Sequence, residues 1–216
     1  MALVGLETGY VVLESAPRLS PPCFPYITSY GGDADATKFT YKKRLHCSDM
    51  RKVTSIFAAE DSEGKPLFIK FTSRYNETAH RFLAEKGYAP TLRHWSETVA
   101  GSGCFMVVMD QIEGEDMFGV RFTEDDLRRV SEAKDLLHQN QFVFGDLRSN
   151  NIVKPADDSG VMLVDFDWCA LDGQGRYPYT INGDPSCGWH SEVGPGVVMR
   201  KEHDNYLYAR LQFNTV

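Results

Sequence analysis

The stretch Val143-Phe144-Gly145-Asp146-Leu147-Arg148-Ser149-Asn150-Asn151-Ile152 runs an apolar segment into a polar loop with three chemically distinct side chains. Asp146 offers a carboxylate, Arg148 follows two positions later with a fixed positive charge, and Asn151 stands five residues after Asp146. Phosphoryl transfer needs a carboxylate to accept or orient the attacking hydroxyl, and oxygen ligands for magnesium. It also needs a cation for the charge developing on the transferred group. Further on, Met162-Leu163-Val164 ends in Asp165-Phe166-Asp167, with Asp165 fourteen residues after Asn151 (165 − 151). Two strands flanking the intervening loop would bring Asn151 and Asp165 to one edge, where both ligate one Mg²⁺. A lone aspartate at a strand end is ordinarily a turn residue. Both clusters in this order outweigh that reading. Asp165-x-Asp167 also has the form used in metal-dependent glycosyl transfer, but that chemistry leaves the Asp146 to Asn151 loop without a role.

The elements that must position these groups follow from periodicity and punctuation. Phe39 to His46, Val53 to Ala59 and Pro66 to Phe71 read as three short strands, with Asp61-Ser62-Glu63-Gly64-Lys65 as a hairpin turn. Asn76 to Lys86 reads as a helix ended by Gly87. Phe105 to Met109 is a compact apolar run, a buried strand, and Gln111 to Gly114 leads away from it. Thr123-Glu124-Asp125-Asp126 is a capping signal with an acidic first turn for a helix through Leu127 to His138. Phe142 to Phe144 and Val161 to Val164 are short strands running into the two acidic clusters. A Gly- and Pro-rich stretch covers Leu171 to Gly196, and a last helix spans Glu202 to Leu211. Strands first and helices later predict an α+β architecture with two unequal lobes.

Composition narrows the function classes. The 216 residues carry a formal net charge of −7, so no global positive field draws the chain to nucleic acid or anionic lipid. No run approaches the length of a membrane span and no signal peptide is visible, which predicts an intracellular protein, cytoplasmic or nuclear. Five widely spaced cysteines without a Cys-x-x-Cys pair read as reduced structural thiols. The six histidines show no metal-ligand spacing.

The two acidic clusters resemble those of the protein-kinase-like superfamily, which includes the aminoglycoside and choline kinases. Its catalytic loop reads His-Arg-Asp or His-Gly-Asp with an Asn five residues after the Asp, and its metal motif reads Asp-Phe-Gly. Here the counterparts are Phe144-Gly145-Asp146 with Asn151, and Asp165-Phe166-Asp167. The resemblance implies ATP and Mg²⁺ as cofactors and a hydroxyl acceptor on a protein or small molecule. It implies Asp146 as base, Asn151 and Asp165 as metal ligands, and Arg148 in the place of the loop lysine. Phe68-Ile69-Lys70-Phe71 is similar to the third-strand Val-Ala-Ile-Lys motif, which makes Lys70 the contact to the α- and β-phosphates, with Glu77 of the following helix as its partner and Glu85 as the less favoured alternative. Val107 to Ile112 resembles the interlobe hinge, with Met109 behind the adenine and the backbone of Asp110, Gln111 and Ile112 binding the base. Asp116 falls where a ribose-contacting carboxylate often lies. Gly175-Arg176-Tyr177-Pro178 and Lys201-Glu202-His203-Asp204 resemble fungal atypical kinases, and put Asp204 where the family braces the catalytic loop.

The implied fold is bilobal: an irregular extension over 1–35, a small β-rich lobe over 36–110 and a shortened helical lobe over 111–216. Three departures stand out. Cys47-Ser48-Asp49-Met50-Arg51-Lys52, between the first two strands, contains no glycine to let backbone approach the phosphates. Asp167 replaces a glycine, which restricts the backbone and adds a carboxylate near the metal. Only 51 residues follow Asp165 (216 − 165), so the lobe that docks a peptide is expected to be reduced. A kinase acting on Ser or Thr is the expected function. A pseudoenzyme that keeps the fold for partner binding, or a small-molecule kinase, is the alternative.

Overall fold

The computed structural model describes residues 25–32, 35–45 and 55–213. The 1–35 extension falls mostly outside these residues, and the glycine-free loop 47–52 lies wholly outside them.

Six strands form one antiparallel sheet: β1 (Ser29–Tyr30), β2 (Thr37–Leu45), β3 (Ser55–Asp61), β4 (Pro66–Thr72), β5 (Leu92–Glu97) and β6 (Phe105–Asp110), in the order β1-β2-β3-β4-β6-β5. Alternation sets the faces. In β2, Phe39 and Tyr41 are buried while Lys38, Thr40 and Lys42 face solvent. Phe57, Leu67 and Ile69 join them in one apolar cluster, each such side chain contributing about 1.5–3 kcal/mol by burial. The β3–β4 turn closes as its residues predict. The Asp61 carboxylate accepts the amides of Glu63 and Lys65, both at 2.9 Å.

Helix α1 (Glu77–Glu85) is capped by Asn76, whose side chain accepts the Ala79 amide at 3.0 Å. After β7 (Gly114–Asp116), helix α2 (Glu124–Gln139) opens with a reciprocal capping box between Thr123 and Asp126. Leu127, Val130 and Leu137 line its buried stripe. The chain continues through β8 (Phe142–Val143), a 3₁₀ turn (Ser149–Asn151), β9 (Ile152–Pro155), β10 (Met162–Leu163) and β11 (Ala170–Leu171) to helix α3 (Lys201–Gln212). β10, β9 and β7 form a small sheet, and β11 pairs with β8. Leu83, Phe122, Leu137, Phe144, Ile152 and Phe166 belong to one core that ties α1, α2 and the loop-bearing strands together. The architecture is a β-rich sheet followed by a helical part, as the order of strands and helices predicts. Among the described residues, no helix is long and apolar enough to cross a membrane.

Candidate functional site

The two acidic clusters meet through the β9–β10 hairpin. Val153 pairs with Met162 and Ile152 with Leu163, so Asn151 precedes one strand and Val164 follows the other. The Val164 amide donates to the Asn151 carbonyl at 2.9 Å, which closes the edge. Asn151 is buried, and its side-chain amide donates to the Asp146 carbonyl at 2.9 Å. Its Oδ1 accepts from the Asn150 side chain at 3.1 Å. Asp165 takes φ 69°, the left-handed region that aspartate tolerates better than most residues. For Mg²⁺ the donor set fits: an amide oxygen and a carboxylate, both hard, at adjoining hairpin ends.

Asp146 is buried and held by Arg148 in a two-point ion pair. Arg148 Nη2 lies 2.9 Å from Oδ2, and Nε meets Oδ1. The guanidinium also sits 4.5 Å over the Trp189 ring. Gly145, just before the aspartate, has φ 83°, and a Cβ there would lie 2.1 Å from the Met199 methyl. The backbone bend that presents Asp146 therefore requires glycine at this position. Beneath the loop, Asp204 is fully buried. Its Oδ2 accepts the Phe144 amide at 2.7 Å and its Oδ1 the Gly145 amide at 2.8 Å, with His138 Nε2 at 3.0 Å from Oδ2. Two segments singled out in the sequence touch here: the Tyr177 hydroxyl lies 3.1 Å from His203 Nδ1, beside Asp204.

Lys70 comes from the sheet. Its Nζ is 2.7 Å from both Asp165 Oδ1 and Asp167 Oδ1. Burial alone would lower the lysine's proton affinity, but the two carboxylates outweigh it and hold the ammonium charged, its pKa raised. Two carboxylates against one ammonium leave excess negative charge. Burial, then the Asp165 charge, push Asp167 up to about 7. The Asp167 backbone is not in the left-handed region; within the motif that conformation falls on Asp165. The restriction expected at Asp167 is thereby relieved.

One expected pairing is not formed. Glu77 is engaged by Arg81, Nε to Oε1 at 2.6 Å, and makes no ion pair with Lys70. Glu77 is the first residue of α1, only one turn from its i+4 arginine, while the metal motif lies closer to the lysine. What ties α1 to the site is instead its N-cap. The Asn76 amide donates to the Phe166 carbonyl at 3.1 Å and its side chain to the Cys169 carbonyl at 3.1 Å.

The hinge is partly engaged. Phe68 stands opposite Met109 and Lys70 opposite Val107, so the buried Met109 shares a sheet face with Lys70. The Asp110 amide donates to the Thr91 carbonyl at 3.0 Å and the Gln111 amide to the Pro66 carbonyl at 3.2 Å. These two donors are therefore not open to a base, contrary to expectation. The Ile112 amide alone of the three has no backbone partner among the described residues. The Asp110 carboxylate is clamped by Arg93, at 2.7 and 2.8 Å, and by Lys65 at 3.1 Å. Asp116 is exposed and closes a local turn, accepting the Phe118 amide at 2.9 Å.

His80 is a residue that sequence reasoning left without a role. Its ring stacks on Phe166 at 4.6 Å between centroids and 8° between planes. Its Nε2 meets the Pro90 carbonyl at 2.8 Å and its Nδ1 the Tyr75 hydroxyl at 2.6 Å. Burial, opposed by the Pro90 bond, lowers its pKa to about 4. In the unfolded chain the same group titrates near 6.5. Its contribution to stability is therefore complete above about pH 6.5 and lost as pH falls toward 4. Between pH 7.5 and 5 the loss is about 2 kcal/mol. His80→Phe should flatten that part of the acid limb, read as the wild-type minus variant difference in urea midpoints at pH 7.5 and pH 5. An unchanged difference would contradict a neutral buried His80.

His190, Glu192 and His203 bring ligand-type atoms within 4.8 Å of one another, a cluster their sequence spacing does not reveal. The Nδ1 atoms of both rings face backbone amides, Glu192 at 3.2 Å and Arg200 at 3.3 Å. The cluster reads as packing between the Gly-rich segment and α3. Cys104, Cys169 and Cys187 are free thiols; Cys169 is buried and its pKa is raised by that burial, which keeps it an unreactive thiol.

No family model matches the chain. Over 75 residues it is 35% identical to cGMP-dependent protein kinase 2 of Rattus norvegicus and 33% identical to that of Homo sapiens. Each match covers 35% of this chain and only 9% of the relative's length. The structure of the Cydia pomonella granulovirus kinase PK-1 is similar at a TM-score of 0.61 and 15% identity, over 81% of this chain and 67% of that one. The chain has the protein-kinase-like fold.

Proposed function

We propose that this chain is an ATP- and Mg²⁺-dependent phosphotransferase acting on an alcohol group, of the Ser/Thr protein kinase kind. Its sheet lobe would cover 36–110 and its helical lobe 111–216. The observation that carries the reading is the meeting of Lys70 with Asp165 across 95 residues of chain, beside the hairpin edge that adjoins Asn151. Lys70 would bind the α- and β-phosphates, Met109 would back the adenine, and the Ile112 amide would meet the base. Asn151 and Asp165 would hold Mg²⁺, which when bound neutralises charge on the phosphates. The acceptor oxygen forms its bond to the γ-phosphorus as the bond to the β,γ-bridging oxygen breaks, and Asp146 takes the hydroxyl proton. Arg148 keeps the base oriented through its two-point pair and places positive charge beside the transferred group. The same chemistry serves a small-molecule hydroxyl, a possibility that the Gly145-Asp146 pair keeps open.

The direct test incubates the chain with Mg²⁺ and labelled ATP, scoring transfer to itself, to protein substrates and to small alcohols. A second reading, a pseudokinase that binds partners, is favoured by the Asp110 and Gln111 amides being already engaged. Thermal shift separates the two in part. A nucleotide at about 100 times its dissociation constant stabilises by about 2.7 kcal/mol, and no shift at millimolar Mg²⁺-ATP would favour the pseudokinase.

A further inference from the structure

We infer that Asp167 is the positioning residue for Lys70, in the place that Glu77 was expected to fill, so that the lysine is anchored by the metal motif and not by helix α1. The inference rests on Lys70 as the phosphate contact proposed above. Two side chains of β4 hold the Asp167 carboxylate by its two oxygens. Lys70 Nζ lies 2.7 Å from Oδ1, and Thr72 Oγ1 donates to Oδ2 at 3.1 Å. Lys70 and Thr72 are two apart on one strand, so they point to the same face and both reach the carboxylate, Lys70 as an ion pair and Thr72 through its hydroxyl. The lysine side chain is 4% exposed and the Asp167 side chain 14%, against 31% for Glu77, so the pair sits where charge–charge contact is least screened.

Two further points favour this division of labour. Asp165 is both a neighbour of Lys70 and a candidate Mg²⁺ ligand, whereas the Asp167 carboxylate meets Lys70 and Thr72 of β4. Replacing the family glycine by aspartate also adds a carboxylate within ion-pair distance of the lysine, at a position whose backbone does not demand glycine. A glycine there would leave Lys70 with Asp165 alone.

The test is a pair of double-mutant cycles on melting temperature without nucleotide: Lys70→Met with Asp167→Asn, and Lys70→Met with Glu77→Gln. We expect the first double variant to fall short of the summed single shifts by about 3 °C or more, and the second to add within about 1 °C. Coupling of Lys70 to Glu77 with additivity at Asp167 would overturn the inference. Titration calorimetry with Asp167→Asn and Asp167→Glu supplies a readout that loss of structure alone would not give. Asp167→Asn should weaken ATP about tenfold and leave adenosine, which has no phosphate, unchanged; Asp167→Glu should restore part of the loss. Equal loss for both ligands, or none for either, would count against a positioning role. Should the wild-type chain bind neither ligand, the phosphotransferase reading fails, while the melting cycles still decide whether Lys70 is anchored by Asp167.

Discussion

Replacing Asp146 with asparagine is expected to lower phosphoryl transfer by about 10²–10⁴-fold while Mg²⁺-ATP still stabilises the protein. Asparagine keeps the size of the side chain and one oxygen for Arg148, whose guanidinium also rests on the Trp189 ring. The fold around the loop should therefore persist. An amide cannot take the acceptor's proton, so the loss should appear in kcat and not in the affinity for nucleotide. Asp146→Ala should lose at least as much. The measurement is single-turnover transfer from labelled ATP beside a nucleotide thermal shift on the same preparations. Transfer at the wild-type rate by either variant would remove Asp146 from the role of base.

Asp204→Ala should be the most destabilising single change near the site. Asp204 is fully buried, and removing its carboxylate strands the Phe144 and Gly145 amides and takes the His138 partner away. Leaving buried donors unmade costs about 1–3 kcal/mol each, which places the total near 3–5 kcal/mol. For a chain of this size that lowers the melting temperature by about 10 °C. Asp204→Asn should rescue little, because an amide can accept from one of the two N–H groups but turns its own donors on the other. Hydrogen exchange at Phe144 and Gly145 should accelerate in both variants. Retention of slow exchange at these amides would show that something other than Asp204 holds the loop.

Local chemistry made much of this legible in the sequence. The Asp61 to Lys65 turn, the Thr123 capping signal and the apolar run of β6 each act within a few residues, and their predicted elements match the structure closely. β5 escaped because it is an edge strand whose Arg93, His94 and Ser96 blur the alternation. β9 was implied as one flank of the loop after Asn151 but given no bounds, because it is four residues long and ends in Pro155. The carboxylates around Lys70 could be named but not assigned. Glu77 looked right by analogy, yet its charge is satisfied within its own helix by Arg81, and Asp167 reaches the lysine only through tertiary folding. His80 gave no signal because its neutrality arises from burial against Phe166, which no local pattern encodes.

The β9–β10 hairpin sets the relation of Asn151 to Asp165 through strand register and one backbone bond, so the number of residues between them is free to vary. The exposed tip around Asp157 and Asp158 is thus a natural place to insert sequence, such as a short flexible tag. An insertion between these two residues should leave the metal-ligand geometry intact. A single residue added inside β9 would instead turn alternate side chains to the opposite face and separate the two ligands. For this chain, the count of fourteen is incidental and the register is what inheritance or engineering has to preserve.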